Sequence, residues 1–239
     1  MKTDKVFYVD PGNVKNSTFS LSRSESFHAV NVMRLKQGES IILIDGQGTG
    51  YYGSITNINV HSIIGVIEKT ISMFGENKFT VNIAPSIIKR NRFETLIEKA
   101  TELGVKSIQP IIMQHSVKKT INMERCKKII RSAIKQCKRS YFPILKEPVS
   151  LLLWLQQLNG QYFAGLQTAS STLSSLDFHS SKPVNIIIGP EGDFTSSEID
   201  AMKLAGVQFF SLGNRRLRSE TAMLSTISII SEYFNRNQN

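Results

Sequence analysis

From residue 79 onward, short apolar segments alternate with amphipathic ones, and this alternation restricts the fold more than any other feature of the chain. The amphipathic segments 92–103 and 123–139 place apolar residues at helical spacing. Strands that alternate with helices are typical of a parallel sheet covered on both faces, so we predict an α/β domain here. Its strands are predicted at 80–84, 107–113, 161–166, 184–188 and 209–212.

The first 70 residues follow a different pattern, in which several short strands are separated by turns. A short helix is predicted at 24–32 and a polar connection at 72–78. Successive short strands favour a small β-barrel, so we predict two domains, 1–72 and 73–239. The strands of the barrel are predicted at 6–9, 40–45, 51–59 and 62–68.

The net charge of +10 is concentrated in one part of the chain. Residues 1–72 contain seven Lys/Arg and six Asp/Glu, whereas residues 85–145 contain fourteen and four. Within the latter, the predicted helical segment 125–139 has seven Lys/Arg and no acid, which costs like-charge repulsion along the helix. An anionic partner such as RNA would offset that repulsion. A solvated basic face is the alternative.

Several classes of protein are disfavoured by what the sequence lacks. No run reaches the roughly 18 apolar residues of a membrane span, and the N-terminus has no signal-peptide core, so we expect a cytoplasmic protein without membrane contact. Cys126 and Cys137 belong to no metal-binding pattern and are expected to be reduced thiols; no metal is predicted. Neither a P-loop nor a dinucleotide-binding glycine motif precedes a helix.

Two glycine-containing loops near the C-terminus are the strongest candidates for a binding site. The apolar strand 184–188 runs directly into Gly189-Pro190-Glu191-Gly192, and Thr195 with Glu198 forms a capping box that opens the next helix. A second loop, 211–222, follows another apolar strand, and Ser219 or Thr221 is predicted to cap its helix. Because both loops leave the carboxyl ends of strands, they could build one pocket. A tight turn and a polar surface loop are the simpler readings.

Five motifs give the chain a resemblance to the RsmE family over nearly its full length. They are residues 28–35 (HAVNVMRL), 98–105 (EKATELGV), 136–139 (QCKR), 189–192 (GPEG) and 212–222 (LGNRRLRSETA). The resemblance implies a PUA-like N-terminal β-barrel that binds RNA and a C-terminal SPOUT α/β domain with a trefoil knot. It also implies a homodimer that methylates N3 of a uridine in small-subunit (16S) ribosomal RNA, free or in the assembled subunit, with S-adenosylmethionine as cofactor.

The chemistry of methyl transfer, taken with the resemblance, suggests roles for individual residues. Because Arg218 and Glu220 are adjacent in the second loop, we expect Arg218 to stabilise the deprotonated uridine and Glu220 to orient Arg218 or help to remove the proton. A structural role for Arg218, bracing the knot, is the alternative. The candidates for RNA phosphates are Arg34, Lys89, Arg92, Arg131 and Arg139. The candidates for the cofactor are Leu166, Ile188, Gly189, Pro190, Gly192, Leu212, Gly213 and Leu217.

Three positions depart from the family pattern. Asp193 stands where a second glycine is usual, Lys135 where an acid often precedes the glutamine, and Arg216 where an apolar residue is usual. Two other functions remain open at this point. One is methylation of a different RNA target, such as a ribose 2′-hydroxyl, and the other is a non-catalytic RNA-binding factor that has lost the cofactor.

Overall fold

The computed structural model describes residues 3–59 and 62–237, which form two compact units. The first unit combines Met1–Asn77 with Arg131–Phe142, and the second combines Lys78–Ile130 with Pro143–Asn239. The division after Asn77 lies close to the predicted boundary at 72/73. The inclusion of Arg131–Phe142 in the first unit was not predicted, because these residues continue a helical pattern without any break in the sequence.

The first unit is built on a six-stranded sheet with the order β1-β4-β5-β6-β3-β2. Only β1 and β4 are parallel, and the other neighbours are antiparallel. In the described residues β1 and β2 each have one neighbour, so the sheet is a half-barrel, and the predicted small β-barrel is confirmed in part. The strands are β1 (Val6–Tyr8), β2 (Val14–Lys15), β3 (Thr18–Ser20), β4 (Ser40–Ile44), β5 (Thr49–Ile58) and β6 (Ile63–Ser72).

A short helix, α1 (Arg23–Phe27), continues into a π-helical turn at His28–Val32. Ser22 caps α1, with its Oγ accepting from the Glu25 amide at 3.3 Å. Ala29 in the π-helical turn belongs to the buried core of the unit. The other members of that core are Phe7, Val9, Phe19, Leu21, Leu35, Ile41, Leu43, Ile55 and Ile63.

Helix α3 (Met123–Cys137) leads into a buried ion pair in the first unit. Arg139 Nη2 lies 2.9 Å from Glu76 Oε2, and both side chains are less than 5% exposed (3% and 4%). Glu76 Oε1 also accepts from the amides of Ser140 and Tyr141, at 3.1 and 2.9 Å. This burial commits the Arg139 guanidinium to the interior, so the prediction that Arg139 binds RNA phosphates does not fit the structure.

The second unit contains a six-stranded sheet in which every pairing is parallel, with the order β10-β8-β7-β13-β12-β14. The predicted α/β domain is thereby confirmed. Its strands are β7 (Val81–Pro85), β8 (Ser107–Ile108), β10 (Ile144–Leu145), β12 (Gln161–Gly165), β13 (Val184–Ile188) and β14 (Gln208–Phe210), with a separate parallel pair β9 (Ile111–Ile112) and β11 (Val149–Ser150). Its complete helices are α2 (Arg90–Glu102), α4 (Leu151–Leu155), α5 (Ser196–Leu204) and α6 (Ser219–Arg236).

The strand predicted at 107–113 is interrupted in the structure. It forms β8 and β9, which belong to different sheets, with Gln109 and Pro110 between them. Proline has no amide hydrogen for a ladder bond, which accounts for the break. The Gln109 side chain donates to the Glu147 carbonyl at 2.8 Å, which ties the break to the segment between β10 and β11.

Both faces of the parallel sheet are buried. All five residues of β13 are buried, as expected of a central parallel strand. On one face Ala84, Ala164 and Ile187 belong to an apolar cluster with Met202 of α5. On the other face the ring of Phe163 packs at 4.9 Å from Phe178, and α6 packs on β7 and β13. None of the helices within residues 3–59 and 62–237 is long and apolar enough to cross a membrane.

We expect the Arg139–Glu76 pair to be essential for stability of the first unit. Replacing Arg139 with Met leaves a buried carboxylate without its cation, which typically costs about 3–5 kcal/mol. Urea unfolding followed by circular dichroism measures the loss. Lys203→Met, which removes an exposed pair with Asp200 (3.7 Å), is the control and should change the free energy of unfolding by less than about 1 kcal/mol. Equal effects of the two substitutions would contradict this role.

Candidate functional site

A cleft of about 410 Å³ lies in the second unit, where the carboxyl ends of three neighbouring strands meet. Residues just after β13 and β14 face residues at the end of β12. Ligands commonly bind outside the carboxyl ends of parallel strands. The lining residues are Gly165, Leu166, Gln167, Ile188, Gly189, Pro190, Glu191, Asp193, Phe210, Leu212, Gly213, Arg215, Arg216, Leu217, Arg218, Ser219 and Ala222.

The loop after β13 is fixed at both of its ends. Before it, the Ile188 carbonyl accepts from the Ser86 amide at 3.0 Å. After it, Thr195 caps α5, and the predicted capping box with Glu198 is confirmed. Glu198 also accepts from the Gln114 amide at 2.8 Å, which ties the cap to a neighbouring segment. The loop therefore leaves a rigid strand and enters a well-capped helix.

Asp193 occupies this loop in a left-handed conformation, with φ of +63°. Its amide donates to the Pro190 carbonyl at 3.0 Å, and its Oδ1 accepts from the Phe194 amide at 2.8 Å. Aspartate tolerates this conformation better than most residues, because its carboxylate bonds the nearby backbone. The departure from the family's glycine is therefore accommodated without loss of the turn.

The loop after β14 turns at Gly213, which has φ of +98°, and leads to α6. Arg218 occupies the N-cap position, and it makes no side-chain capping bond. The prediction that Ser219 or Thr221 caps this helix was wrong, because α6 already begins at Ser219. Arg218 is exposed and lines the cleft, so its guanidinium is available to a ligand.

Seven of the eight residues predicted to hold a cofactor line the cleft, and Gly192 does not. A Cβ atom on Gly192 would lie 3.0 Å from the Cβ of His115. His115 Nδ1 also lies 3.0 Å from the Asp193 carbonyl oxygen, so His115 supports the loop from outside the cleft. Nothing in the local sequence links His115 to this loop, because Asp193 lies 78 residues away from it.

Glu220 pairs with Arg92, an arginine that was predicted to bind RNA phosphates. Arg92 Nε lies 3.6 Å from Glu220 Oε1, and Arg92 Nη1 lies 3.3 Å from Glu191 Oε1. Glu220 does not line the cleft, although Ser219 and Arg218 do. The second carboxylate oxygens of Glu191 and Glu220 are buried and have no hydrogen-bond partner among the described residues. The carboxylate that sequence adjacency associated with Arg218 is therefore paired with Arg92.

The remaining candidates for RNA binding lie on the surface. Arg34, Lys89 and Arg131 are exposed. Arg131 lies over the rings of Tyr8 and Phe142, at 4.9 and 5.8 Å from their centroids. That Arg34, Lys89 and Arg131 contact RNA phosphates stays a prediction.

The basic segment 125–139 has acids nearby that its own sequence does not supply. Glu124, just before the segment in the same helix, lies 3.1 Å from Lys127, and two further acids come from other parts of the fold. Arg125 Nε lies 2.7 Å from Glu94, and Lys135 Nζ lies 3.0 Å from the largely buried Glu25. Lys135 thus has a partner that explains its place at a position where the family often has an acid. Arg125 first, and then Arg90, lower the pKa of Glu94 to about 2. Like-charge repulsion along α3 is therefore reduced without any ligand, and the charge pattern alone is weak evidence for RNA.

Cys126 is a buried, free thiol. Burial raises the pKa of Cys126 to about 11, so its reactive thiolate is scarce at neutral pH. Cys137 is half-buried. Neither residue contributes to the cleft.

Comparisons with known proteins agree over both units. Residues 75–231 match the family described as RNA methyltransferase domain, and residues 21–68 match the RNA methyltransferase PUA domain. Ribosomal RNA small subunit methyltransferase E from Rickettsia conorii is 27% identical, with 95% of each chain covered. The enzyme of the same name from Bacillus subtilis is 29% identical, with 90% of each covered.

Two solved structures are similar over almost the whole chain. Ribosomal RNA small subunit methyltransferase E from Neisseria gonorrhoeae, bound to S-adenosyl methionine, is 26% identical with a TM-score of 0.86 and covers 96% of this chain and 97% of its own. A methyltransferase from Legionella pneumophila, in complex with the cofactor SAM, is 27% identical with a TM-score of 0.85 and covers 95% and 97%.

We expect substitutions of Asp193 to separate backbone strain from side-chain bonding. Asp193→Ala loses the bond to Phe194 and places alanine in the left-handed region, so the free energy of unfolding should fall by about 1–2 kcal/mol. Asp193→Gly loses the same bond but relieves the strain, and should remain closer to the wild type. Urea unfolding measures both variants. If alanine proved as stable as glycine, the left-handed backbone would not be the constraint.

Proposed function

The chain belongs to the RNA methyltransferase family, and we propose that it transfers a methyl group from S-adenosylmethionine to N3 of a uridine in 16S ribosomal RNA, giving 3-methyluridine. The observation that carries this proposal is the single cleft formed by the two glycine loops after β13 and β14. Its volume of about 410 Å³ falls within the range of small-molecule sites. Relatives of the same size carry the matching name, and similar structures contain the cofactor.

The lining of the cleft suits the cofactor. Apolar side chains of Leu166, Ile188 and Leu217 offer contacts for the adenosyl group, while the backbone at Gly189 and Gly213 offers donors and acceptors. A Cβ atom on Gly213 would meet nothing within 4 Å, so the loop leaves open space at this point. Pro190 and Leu212 complete the proposed contacts, and Gly192 contributes through the loop and not as a lining residue. When bound, the cofactor supplies an electrophilic methyl group on its sulfonium.

Arg218 is the residue that we propose to act on the uridine. N3 of uridine must lose its proton, which passes to solvent water, before it can attack the methyl group, and a cation beside the ring stabilises the resulting anion. Arg218 lies at the edge of the cleft and directly precedes α6, whose N-terminus adds positive potential. We assign Glu220 to positioning the start of α6 through its contact with Arg92, and not to orienting Arg218 or removing the proton, because it lies outside the cleft lining.

The RNA contacts proposed for the surface are electrostatic. Arg34 and Arg131 belong to the first unit and Lys89 to the second, and all three are exposed. Contacts of this type bind phosphates and position the RNA without reading its sequence. The match of residues 21–68 to the RNA methyltransferase PUA domain supports RNA binding by the first unit. The substrate is small-subunit ribosomal RNA, either free or in the assembled subunit.

Three further features of the family are part of the proposal. A SPOUT trefoil knot is supported by the pairing of Thr172 with Ser211, which places the connection between β12 and β13 against the chain that leaves β14. The cytoplasmic location stays a prediction.

A homodimer is also proposed, and sedimentation should then give twice the chain mass of 26.8 kDa. A monomer at micromolar concentration would contradict the homodimer.

The activity is tested with small ribosomal subunits that lack the modification. Labelled cofactor should transfer its methyl group, and nucleoside mass spectrometry should identify 3-methyluridine. Arg218→Ala should lower kcat at least 100-fold, because it removes the cation from the developing anion, while the Kd for the cofactor stays within about threefold. Arg236→Ala, an exposed arginine at the end of α6, is the control.

Other products would redirect the assignment. Methylated ribose would indicate a 2′-hydroxyl target. Wild-type turnover by Arg218→Ala would remove Arg218 from the mechanism. Absence of both transfer and cofactor binding would favour a non-catalytic RNA-binding factor.

A further inference from the structure

We propose that Arg92 is a positioning residue that joins the two cofactor loops, and not a ligand of RNA phosphates. This inference rests on the proposed function. Arg92 lies in the first turn of α2 and reaches one carboxylate from each loop. Its Nη1 lies 3.3 Å from Glu191 Oε1 in the loop after β13, and its Nε lies 3.6 Å from Glu220 Oε1 at the start of α6. One guanidinium thus bridges two segments that are separate in the sequence.

The three charged side chains of this bridge are partly buried. The Glu220 side chain is 14% exposed, and those of Arg92 and Glu191 are each 31% exposed. Solvent therefore screens these charges less than it screens a surface pair. The buried Oε2 atoms of both glutamates have no hydrogen-bond partner among the described residues. Without Arg92, two partly buried carboxylates would lie near each other without the cation that both now contact.

The two carboxylates are directly connected to the lining of the cleft. Glu191 is itself a lining residue, and its carbonyl accepts from Arg216 Nη2 at 3.0 Å. Ser219, which precedes Glu220, and Arg218 also line the cleft. Separation of the carboxylates would therefore displace lining residues on both sides. Arg92 is not a lining residue, so it acts on the cofactor only through the two glutamates.

A second arginine, Arg216, contacts the same loop. A guanidinium donates to the Glu191 carbonyl, which an apolar side chain at this position could not do. The loop after β13 is consequently held from two directions, by Arg92 at its side chain and by Arg216 at its backbone. Only Arg92 also reaches Glu220.

The two roles considered for Arg92 predict opposite results. A phosphate ligand contributes to RNA affinity, and its removal lowers the slope of log K against log salt by about 1. A positioning residue contributes to cofactor affinity in the absence of RNA. Titration calorimetry with S-adenosylmethionine alone and an RNA-binding titration at several salt concentrations therefore distinguish them.

The experiment compares Arg92→Ala and Arg92→Lys with Arg90→Ala. Arg90 is a neighbouring arginine that pairs with Glu94 on the same helix and is the matched control. We expect Arg92→Ala to raise the Kd for the cofactor at least tenfold with RNA affinity unchanged. Arg92→Lys should give a smaller rise, of about threefold, since a single ammonium cannot present two nitrogens in a planar fork. Arg90→Ala should stay within twofold of the wild type.

A second pair of variants tests the physical cause. If the unbridged carboxylates repel each other, Glu191→Gln in the Arg92→Ala background should recover part of the lost affinity. Glu191→Gln alone should weaken binding less than Arg92→Ala does. A double variant that is no better than Arg92→Ala would overturn the repulsion argument.

The outcomes are separable from failure of the proposed function. If the wild type binds no S-adenosylmethionine, the proposed function fails and this inference falls with it. If the wild type binds and Arg92→Ala binds equally well, only the inference is overturned. Loss of RNA affinity with an unchanged cofactor Kd would establish Arg92 as a phosphate ligand. Should Arg92→Ala fail to fold, Arg92→Lys decides, and wild-type cofactor affinity in that variant would overturn the bridge.

Discussion

The position of the buried strand β13 determines the rest of the second unit. Its backbone pairs on both sides, and its register sets Ile188 opposite Pro85 of β7 and Gly165 of β12. Phe210 of β14 is also opposite Gly165. The strands therefore end at one level, and the residues that follow them meet in the cleft. A Cβ atom at Gly165 would lie 2.5 Å from Ile188 Cδ1, so a larger residue there would require the Ile188 side chain to shift.

Much of the fold followed from periodicity, because burial imposes a repeat of two on strands and about 3.6 on helices. The failures arose where distant contacts decide the structure. Arg139 forms an ion pair with Glu76 and belongs to the first unit, although the residues around Arg139 have the pattern of a uniform basic helix. The segment 125–139 contains no acid, and Glu25 and Glu94 pair with its basic residues from elsewhere in the chain. Local sequence contains no signal for such pairings.

The site was predictable to the extent that it consists of backbone after strand ends. Glycine loops and a capping box are local signals, and they located the cleft. Side-chain partners were not local: adjacency in the sequence suggested that Glu220 acts with Arg218, whereas Arg92 is the arginine that contacts it. Arg218 is the extended N-cap residue and Glu220 lies in the first turn of α6, so the two side chains leave the chain in different settings, and only Arg218 lines the cleft.

The return of Arg131–Phe142 to the first unit has a consequence for synthesis of the chain. The N-terminal segment ends at Asn77, yet Glu76 has its buried cation only once Arg139 has been made. During translation the first unit therefore stays incomplete until residues 131–142 are made, after the first strands of the second unit have been synthesised. The order in which the two units are completed differs from the order in which they begin, and a chain cut at their apparent boundary would leave a carboxylate without its partner.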